Sequence, residues 1–164
     1  VSSNDTTAGY LNGKLVAGDG IDLTEGSDGG NETLTVAVEG EIVQKDVQTT
    51  FTKSQVASTE TATISTTKTL DFDTYQNFIL TLGSGVNTLA NPTTEASQIG
   101  QTGVMIIIQP SSGSAGTVSL GTDYETVGGS GLTLSSTNSA YDIVPYVVKA
   151  DNSILIGSPQ LAFS

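Results

Sequence analysis

The residues of this chain that could do chemistry are carboxylates, because the sequence contains 17 acids and no His or Cys. A Ser-His-Asp triad, a Cys nucleophile and an imidazole or thiolate zinc site are therefore excluded. Two carboxylates alone can hydrolyse a glycosidic bond. Asp71 and Asp73 are the nearest pair, at the i, i+2 spacing that places both on one side of a strand.

The interpretation that the residues favour for this acid pair is structural. Leu70 and Phe72 alternate with Asp71 and Asp73, so the acids would lie on the solvent side of a strand. Glycosidase sites also need aromatic walls, and the sequence has no Trp and only five scattered Tyr. Phosphate-binding and dinucleotide-binding glycine motifs are missing as well. We therefore predict no catalytic residue, no metal site, no cofactor and no enzymatic activity.

A ligand-contact rim is the second chemical possibility. Tyr124 falls in a predicted loop, where its ring could stack against a sugar, and the loops 111–116 and 128–131 could add hydroxyl groups. The alternative is that Tyr124, like Tyr141 and Tyr146, packs in a core or between subunits with a hydrogen-bonded hydroxyl. The residues favour this structural role. The candidate rim consists of Tyr124, Ser112, Ser114 and Ser130.

The elements that must position these residues are strands. Ser and Thr compete with helical hydrogen bonds, and β-branched Thr favours strands. The longest unbroken apolar run, Val104–Ile108, has only five residues and lies between Gly103 and Gln109-Pro110. A run that short predicts a strand buried on both faces rather than a helix. The sequence therefore predicts an all-β fold.

Two domains joined by a connector are predicted. Residues 1–40 carry alternating runs separated by Gly-rich acidic turns, which predicts a β-hairpin unit. Such a unit buries too little apolar surface to be stable alone, so we expect three-fold or partner-assisted packing. Residues 41–57 form the connector, and residues 58–164 form a β-sandwich head with a jelly-roll-like arrangement. The predicted strands are Lys14–Ala17, Ile21–Thr24, Thr33–Val38, Glu60–Thr66, Thr69–Asp73, Phe78–Leu82, Val86–Ala90, Val104–Ile108, Thr117–Leu120, Leu132–Leu134, Tyr141–Val148, Ile154–Ile156 and an edge strand at Leu161 and Phe163.

The net charge of −12 restricts the partners. The chain has five Lys and no Arg, so it lacks the basic stripe that nucleic-acid binding requires. Anionic membrane surfaces are disfavoured for the same reason, and no apolar run is long enough to predict membrane insertion. Val1 is a residue commonly exposed when an initiator Met is removed, so we expect the chain to start near the beginning of its gene product.

Two parts of the chain have a pattern that is shared with known proteins. The first is DTTAGYLNGKLVAGDGIDLTEGSDGGNETLTV (residues 5–36), and the second is FTKSQ (51–55) followed by NFILTLGSGVNTLANPTTEASQIGQTGVMIIIQPSSGSAGTVSLGTDYETVGGSG (77–131). Both parts resemble fibre and appendage proteins of tailed bacteriophages. The resemblance implies a homotrimeric tail fibre, head fibre, spike or capsid decoration on the virion surface, fixed to other virion proteins through residues 1–40.

Two other functions stay open at this point. One is a carbohydrate-binding module of a tail fibre that recognises a cell-surface glycan through the Tyr124 rim and so supports host attachment. The other is a self-assembling extracellular filament or surface-layer subunit, for which Thr-rich acidic β-chains are also suited.

Overall fold

A computed structural model of the chain describes residues 9–18, 20–27, 29–38 and 53–164. Its contacts divide into two compact units, with the boundary between Ser54 and Gln55. In the described residues the regular structure is strand, apart from three single-turn 3₁₀ segments, so the all-β fold class is confirmed. The strands are β1 (Ile21–Gly26), β2 (Thr33–Val38), β3 (Thr59–Ile64), β4 (Thr67–Thr69), β5 (Asn77–Leu82), β6 (Gly85–Ala90), β7 (Thr102–Ile108), β8 (Gly116–Leu120), β9 (Tyr124–Thr126), β10 (Tyr141–Ala150), β11 (Ser153–Ile156) and β12 (Gln160–Phe163).

The smaller unit contains one antiparallel pair, β1 with β2, in which Ile21 lies opposite Val38 and Gly26 opposite Thr33. The turn between them uses the left-handed backbone region, with φ of 61° at Ser27 and 78° at Gly29. The strand predicted at Lys14–Ala17 is not formed. Residues Asn12–Lys14 make a 3₁₀ turn instead, and a short extended segment without a neighbouring strand has no partner for its backbone groups. Residues 1–8 and 39–52, part of the predicted unit and connector, lie outside the described residues.

The larger unit begins with three coils, each made of one strand from each of two sheets. Strands β3, β5 and β7 lie side by side and parallel in the first sheet. Strands β4, β6 and β8 do the same in the second sheet. Because the turns after β3, β5 and β7 carry the chain from one sheet to the other, each strand of one sheet serves as the crossover that parallel pairing in the other requires.

The remaining strands extend only the first sheet. Strand β10 pairs antiparallel with β7, and both β11 and β12 lie along the other edge of β10. Strand β9 closes the sheet by pairing parallel with β11. Pro145 lies in β10 between the residues that pair with β11 and those that pair with β12, where its lack of an N–H breaks no strand pairing. Its carbonyl accepts a hydrogen bond from the Gly157 N–H at 2.9 Å.

The predicted jelly-roll-like arrangement is wrong in its connectivity. A jelly roll consists of antiparallel strands, whereas five of the eight strand pairs in this unit are parallel. Two sheets around one apolar core are retained. The difference arises because strand-sized apolar runs do not specify direction, which the turns between the strands decide.

Two predicted strands of the head are replaced by other structure. The segment expected to be a strand at Thr69–Asp73 is strand only to Thr69 and then forms a turn, although Leu70 and Phe72 are buried as expected. Leu132–Leu134 is not strand, but both leucines pack against the core. The segment thus contributes to the core without being a strand.

One core cluster holds both sheets together. Its aromatic centre is Phe72, which meets Phe78 and Tyr146 edge to face with both ring centroids 5.3 Å away. Gly103 lies opposite Tyr146 in β7, and the Tyr146 hydroxyl donates to the Gln76 carbonyl at 2.6 Å. The fully buried members are Ile64, Leu70, Phe78, Leu80, Leu89, Met105, Ile107, Val144, Val148 and Ile154.

Candidate assembly surfaces

The carboxylate pair Asp71 and Asp73 serves a turn. An oxygen of Asp71 accepts the backbone N–H groups of Asp73 at 3.1 Å and Thr74 at 3.3 Å. The Thr74 side chain is the main cause that lowers the pKa of Asp71, and desolvation opposes it. Asp73 accepts from the Gln98 amide at 2.9 Å. A groove of about 460 Å³ passes Asp73 but is not lined by Asp71, so the two acids do not face a shared cleft.

Tyr124 is not placed for stacking against a sugar. Its side chain is buried in the core, with 6% of the residue exposed, and its hydroxyl reaches the Ala90 carbonyl at 3.4 Å. Burial, followed by the charges of Glu95 and Asp123, raises the pKa of Tyr124. The expectation of a loop is corrected as well, because Tyr124 begins β9 and points inward from it. Its ring therefore has no free face.

The Ser residues of the predicted rim do not form one site. Ser130 lines an open cleft of about 710 Å³ together with Tyr124. Ser112 and Ser114 are exposed in the loop between β7 and β8 and do not line that cleft. Of the four predicted rim residues, the structure thus brings together only Tyr124 and Ser130. Tyr124 borders the cleft, but its ring is almost entirely buried.

Glu95 is a buried acid that the sequence did not indicate. It lies in the 3₁₀ turn Glu95–Ser97, is 1% exposed, and accepts the Asn152 N–H at 3.3 Å through one oxygen. Its other oxygen has no hydrogen-bond partner. A side chain this enclosed cannot meet a ligand from solution. Within the described ranges, no group of three or more acids could hold a metal ion.

The outer face of the first sheet is the most unusual surface of the larger unit. Inward residues alternate with outward ones along β7 and β10, so Met105 and Val144 are buried while Ile106 and Ile143 are half-exposed. The same alternation holds in β5, where Ile79 points outward. We call this surface the outer apolar face. Its members are Ile79, Val104, Ile106, Ile108, Tyr141, Ile143, Pro145, Val147, Leu155 and Phe163.

Strand register arranges these side chains in rows. Ile79 lies beside Ile106, and Ile106 lies beside Ile143, so three Ile side chains cross three neighbouring strands. A second row joins Ile108, Tyr141 and Phe163. The further rows are Val104 with Pro145, and Val147 with Leu155. Contiguous rows of this kind make a patch, whereas single exposed apolar residues are ordinary.

The outer face of the second sheet has the opposite character. Its outward positions carry small polar or small apolar residues with one larger aliphatic, Val86. The contrast between two faces of one domain cannot come from the overall composition of the chain. The outward residues of the second sheet are Thr67, Thr69, Val86, Thr88, Ala90, Thr117 and Ser119.

Charge is confined to one margin of the outer apolar face. Lys149 in β10 pairs with Glu125 in β9, with its Nζ 2.9 Å and 3.0 Å from the two carboxylate oxygens. The hydroxyl of Ser153 donates to Glu125 as well. The opposite margin is lined by Thr59, Thr61 and Thr63, which the alternation of β3 points outward. The face itself is therefore neutral in a chain of net charge −12.

The hairpin of the smaller unit also has an apolar side. The register of β1 and β2 places Ile21 opposite Val38 and Leu23 opposite Val36, with Leu34 on the same side. Val36 is 63% exposed and Val38 48% exposed. We call this surface the hairpin face. The predicted alternation of Leu34, Val36 and Val38 agrees with this register.

The apolar run Val104–Ile108 was the sequence signal for the outer apolar face, but its outward residues were predicted to be buried. Val104–Ile108 was expected to be buried on both faces, but the structure fully buries only Met105 and Ile107. Val104, Ile106 and Ile108 remain half-exposed. The apolar pattern of this strand therefore continues on a side that the second sheet does not cover.

In the part of the chain that the structure describes, no helix has the length and apolar character to cross a membrane. Comparison with protein-family models, with curated proteins and with solved structures gives no match.

Proposed function

We propose that this chain is a non-enzymatic structural protein of a phage virion: a homotrimeric fibre, spike or decoration protein. The N-terminal unit, residues 1–40, joins three copies and fixes them to capsid or tail proteins. The β-sheet domain after it is displayed at the virion surface as a head. The proposal combines the resemblance to phage fibre and appendage proteins with the geometry of the smaller unit.

The observation that carries the proposal is the uncovered hairpin face. A two-stranded hairpin is at best marginally stable in water when nothing packs on it. Here Val36 and Val38 are largely exposed within a row of aliphatic side chains. A second chain packing on this side would bury them, at about 25 cal/mol for each Å² of apolar surface. Intersubunit contact is the physical role that this surface supports.

The absence of an enzymatic role is supported by what the polar groups already do. Asp71 holds a turn, Tyr124 is enclosed, and Glu125 is engaged by Lys149 and Ser153. Catalytic groups must reach a substrate and have spare hydrogen-bonding capacity for it. Asp71 and Tyr124, the acid and the aromatic residue that the sequence singled out, are thus used within the head itself.

The two alternatives have less support. A glycan-binding rim would need the Tyr124 ring to be accessible, and it is buried. An open filament built end to end would add strands at the free edge of β3 and β4. The ion pair between Glu60 and Lys68 points inward at that end, and inward-pointing charges are a recognised obstacle to strand addition.

Light scattering coupled to size exclusion tests the assembly directly. We expect the full chain to be a trimer at micromolar concentration and Val36→Asp to dissociate it, because the substitution places a charge on the hairpin face. Thr35→Asp is the matched control, since Thr35 lies next to Val36 on the opposite side of the same strand. A monomeric wild-type chain, or equal behaviour of the two variants, would contradict the proposed role of the hairpin.

The virion placement needs a separate experiment. Antibodies against the chain, used in immunogold electron microscopy of purified particles from its source, should label the capsid or the tail. Mass spectrometry of the same particles should detect the chain at a stoichiometry divisible by three. Particles that lack the chain would overturn the virion role, whatever its oligomeric state.

A further inference from the structure

We propose that the outer apolar face of the first sheet is a second contact between copies of this chain, so that the heads of one assembly pack on one another. The inference rests on the proposed trimer and extends it from the N-terminal unit to the heads. The occupant of the face is another copy of the same domain.

The rows of the face give the first argument. Ile79, Ile106 and Ile143 lie side by side on adjacent strands, and Tyr141 and Phe163 extend the apolar surface to the β12 edge. Contiguous apolar patches of a few hundred Å² on a soluble domain are often functional. The second sheet, by contrast, carries mostly Thr, Ser and Ala on its exposed face, with Val86 as the one larger aliphatic residue.

The charge of the face is compatible with a copy of the chain as the partner. Molecules of net charge −12 repel one another, and this repulsion is weakest where the contact surfaces carry no uncompensated acid. The outer apolar face has this property, because its one outward acid, Glu125, is paired with Lys149 at the margin. A basic partner would instead be attracted to the acidic surfaces elsewhere on the chain.

The size of the face explains why it needs the N-terminal unit. With strands about 4.8 Å apart and alternate residues about 6.8 Å apart, the face measures roughly 20 Å by 15 Å, on the order of 300 Å². A stable interface of standard size buries about 800 Å² on each partner. The face alone is thus too small. Once the hairpin units hold three copies together, contact between heads becomes intramolecular and adds to the stability of the assembly.

The first test is the concentration dependence of the full-length assembly by sedimentation velocity. Ile106→Glu places a charge at the centre of the face, and we expect it to raise the dissociation constant about tenfold or more. Thr88→Glu is the matched control, because Thr88 is a half-exposed outward residue on the central strand of the second sheet. It should leave the constant unchanged. Thermal unfolding of each variant checks the fold, and the milder Ile106→Thr replaces Ile106→Glu if that variant does not fold.

The second test exploits the lack of Cys in the chain. Ile143→Cys should form covalent dimers on mild oxidation of the assembled protein, whereas Val86→Cys, on the second sheet, should not. Cross-linking through Ile143 together with weakened assembly of Ile106→Glu supports the inference. A wild-type trimer that neither cross-links through Ile143 nor is weakened by Ile106→Glu overturns the head contact alone. A wild-type monomer overturns the trimer as well, and a dimer weakened by Ile106→Glu supports the face but excludes the three-fold assembly.

Discussion

The ammonium group of Lys68 in β4 donates a hydrogen bond to a carboxylate oxygen of Glu60 in β3, so an ion pair joins the two sheets across the first coil of the head. Both side chains point inward, where the later coils have apolar residues, and they are 27% and 16% exposed. The second oxygen of Glu60 is buried without a partner. The pair closes the end of the core and places charge where another strand would otherwise add.

Removing one member of this ion pair should lower the free energy of unfolding more than replacing both members with apolar residues. We expect Glu60→Ala to lower the free energy of unfolding by about 2 kcal/mol, because Lys68 keeps a partly buried charge without its partner. Glu60→Val with Lys68→Leu should recover wild-type stability within about 1 kcal/mol, since apolar residues of similar volume can replace a buried pair. Urea denaturation measures both values.

The same double variant tests whether the charges protect the edge of the sheets. Without them, β3 and β4 present an apolar end, and light scattering should detect species larger than the wild-type assembly. A double variant that is stable and has the wild-type size would show that the pair is not needed to block strand addition.

Asn87 should be among the least replaceable polar residues of the head. It is 1% exposed, its amide nitrogen donates to the carbonyls of Gly83, Gly85 and Thr117, and its oxygen accepts the Gly83 N–H at 2.9 Å. Asn87→Ala would leave buried backbone groups unpaired, and we expect a loss of about 3 kcal/mol in chemical denaturation.

Asn91→Ala is the control for this substitution. Asn91 also bonds through both amide atoms, to Thr122 and Asp123, but it is exposed and water can replace it. A loss below about 1 kcal/mol is expected. Equal losses in the two variants would mean that burial does not set the importance of Asn87.

Gly103 should not tolerate a side chain. A Cβ added there would lie 2.1 Å from the Gln76 carbonyl oxygen and 2.8 Å from the Tyr146 ring and hydroxyl. The carbonyl belongs to the backbone and already accepts the Tyr146 hydroxyl, so neither group can move freely. We expect Gly103→Ala to lower the free energy of unfolding by about 3 kcal/mol. A Cβ added at Gly18 has no atom within 4 Å, so Gly18→Ala should have little effect on thermal unfolding.

Acid should destabilise the head through two carboxylates. The pKa of Asp71 lies below its ordinary 3.8, chiefly through the Thr74 side chain, and that of Glu125 lies below its ordinary 4.5, chiefly through Ser153 and then Lys149. A lowered folded-state pKa means that the unfolded chain binds more protons, so stability is complete above these ordinary values and falls as pH drops below them.

Variants separate the two contributions to the acid response. In Asp71→Asn and Glu125→Gln the fall in unfolding free energy between about pH 5 and pH 3 should be shallower than in the wild type. Urea denaturation at a series of pH values gives the slopes. If neither substitution changed the slope, other carboxylates would control the acid response.

Much of the secondary structure could be predicted from the sequence because it depends on local alternation. The strands at Thr33–Val38, Val104–Ile108 and Tyr141–Val148 lie within observed strands, and Leu70 and Phe72 are buried as their spacing indicated. The turn after Thr69 was missed, because Asp71 can bond to the backbone N–H groups that follow it and so competes with the strand.

The candidate site depended on information that the sequence does not contain locally. Tyr124 has neighbours that suit a loop, yet its parallel pairing with Ile154 turns the ring into the core. The outer apolar face requires the register of strands that are far apart in the chain, such as Ile79 with Ile106 and Ile106 with Ile143. Such pairing cannot be derived from the pattern of one strand.

The sequence by itself determined the all-β class, most strand positions and the exclusion of His- and Cys-based chemistry, because these follow from residue type and two-residue alternation. The tertiary structure decided the direction of the strands, the burial of Tyr124 and the neutrality of one sheet face. The physical reason is that direction and register depend on where each turn sends the chain. An apolar residue such as Ile106 is in a core or on a surface only according to what the opposite sheet covers.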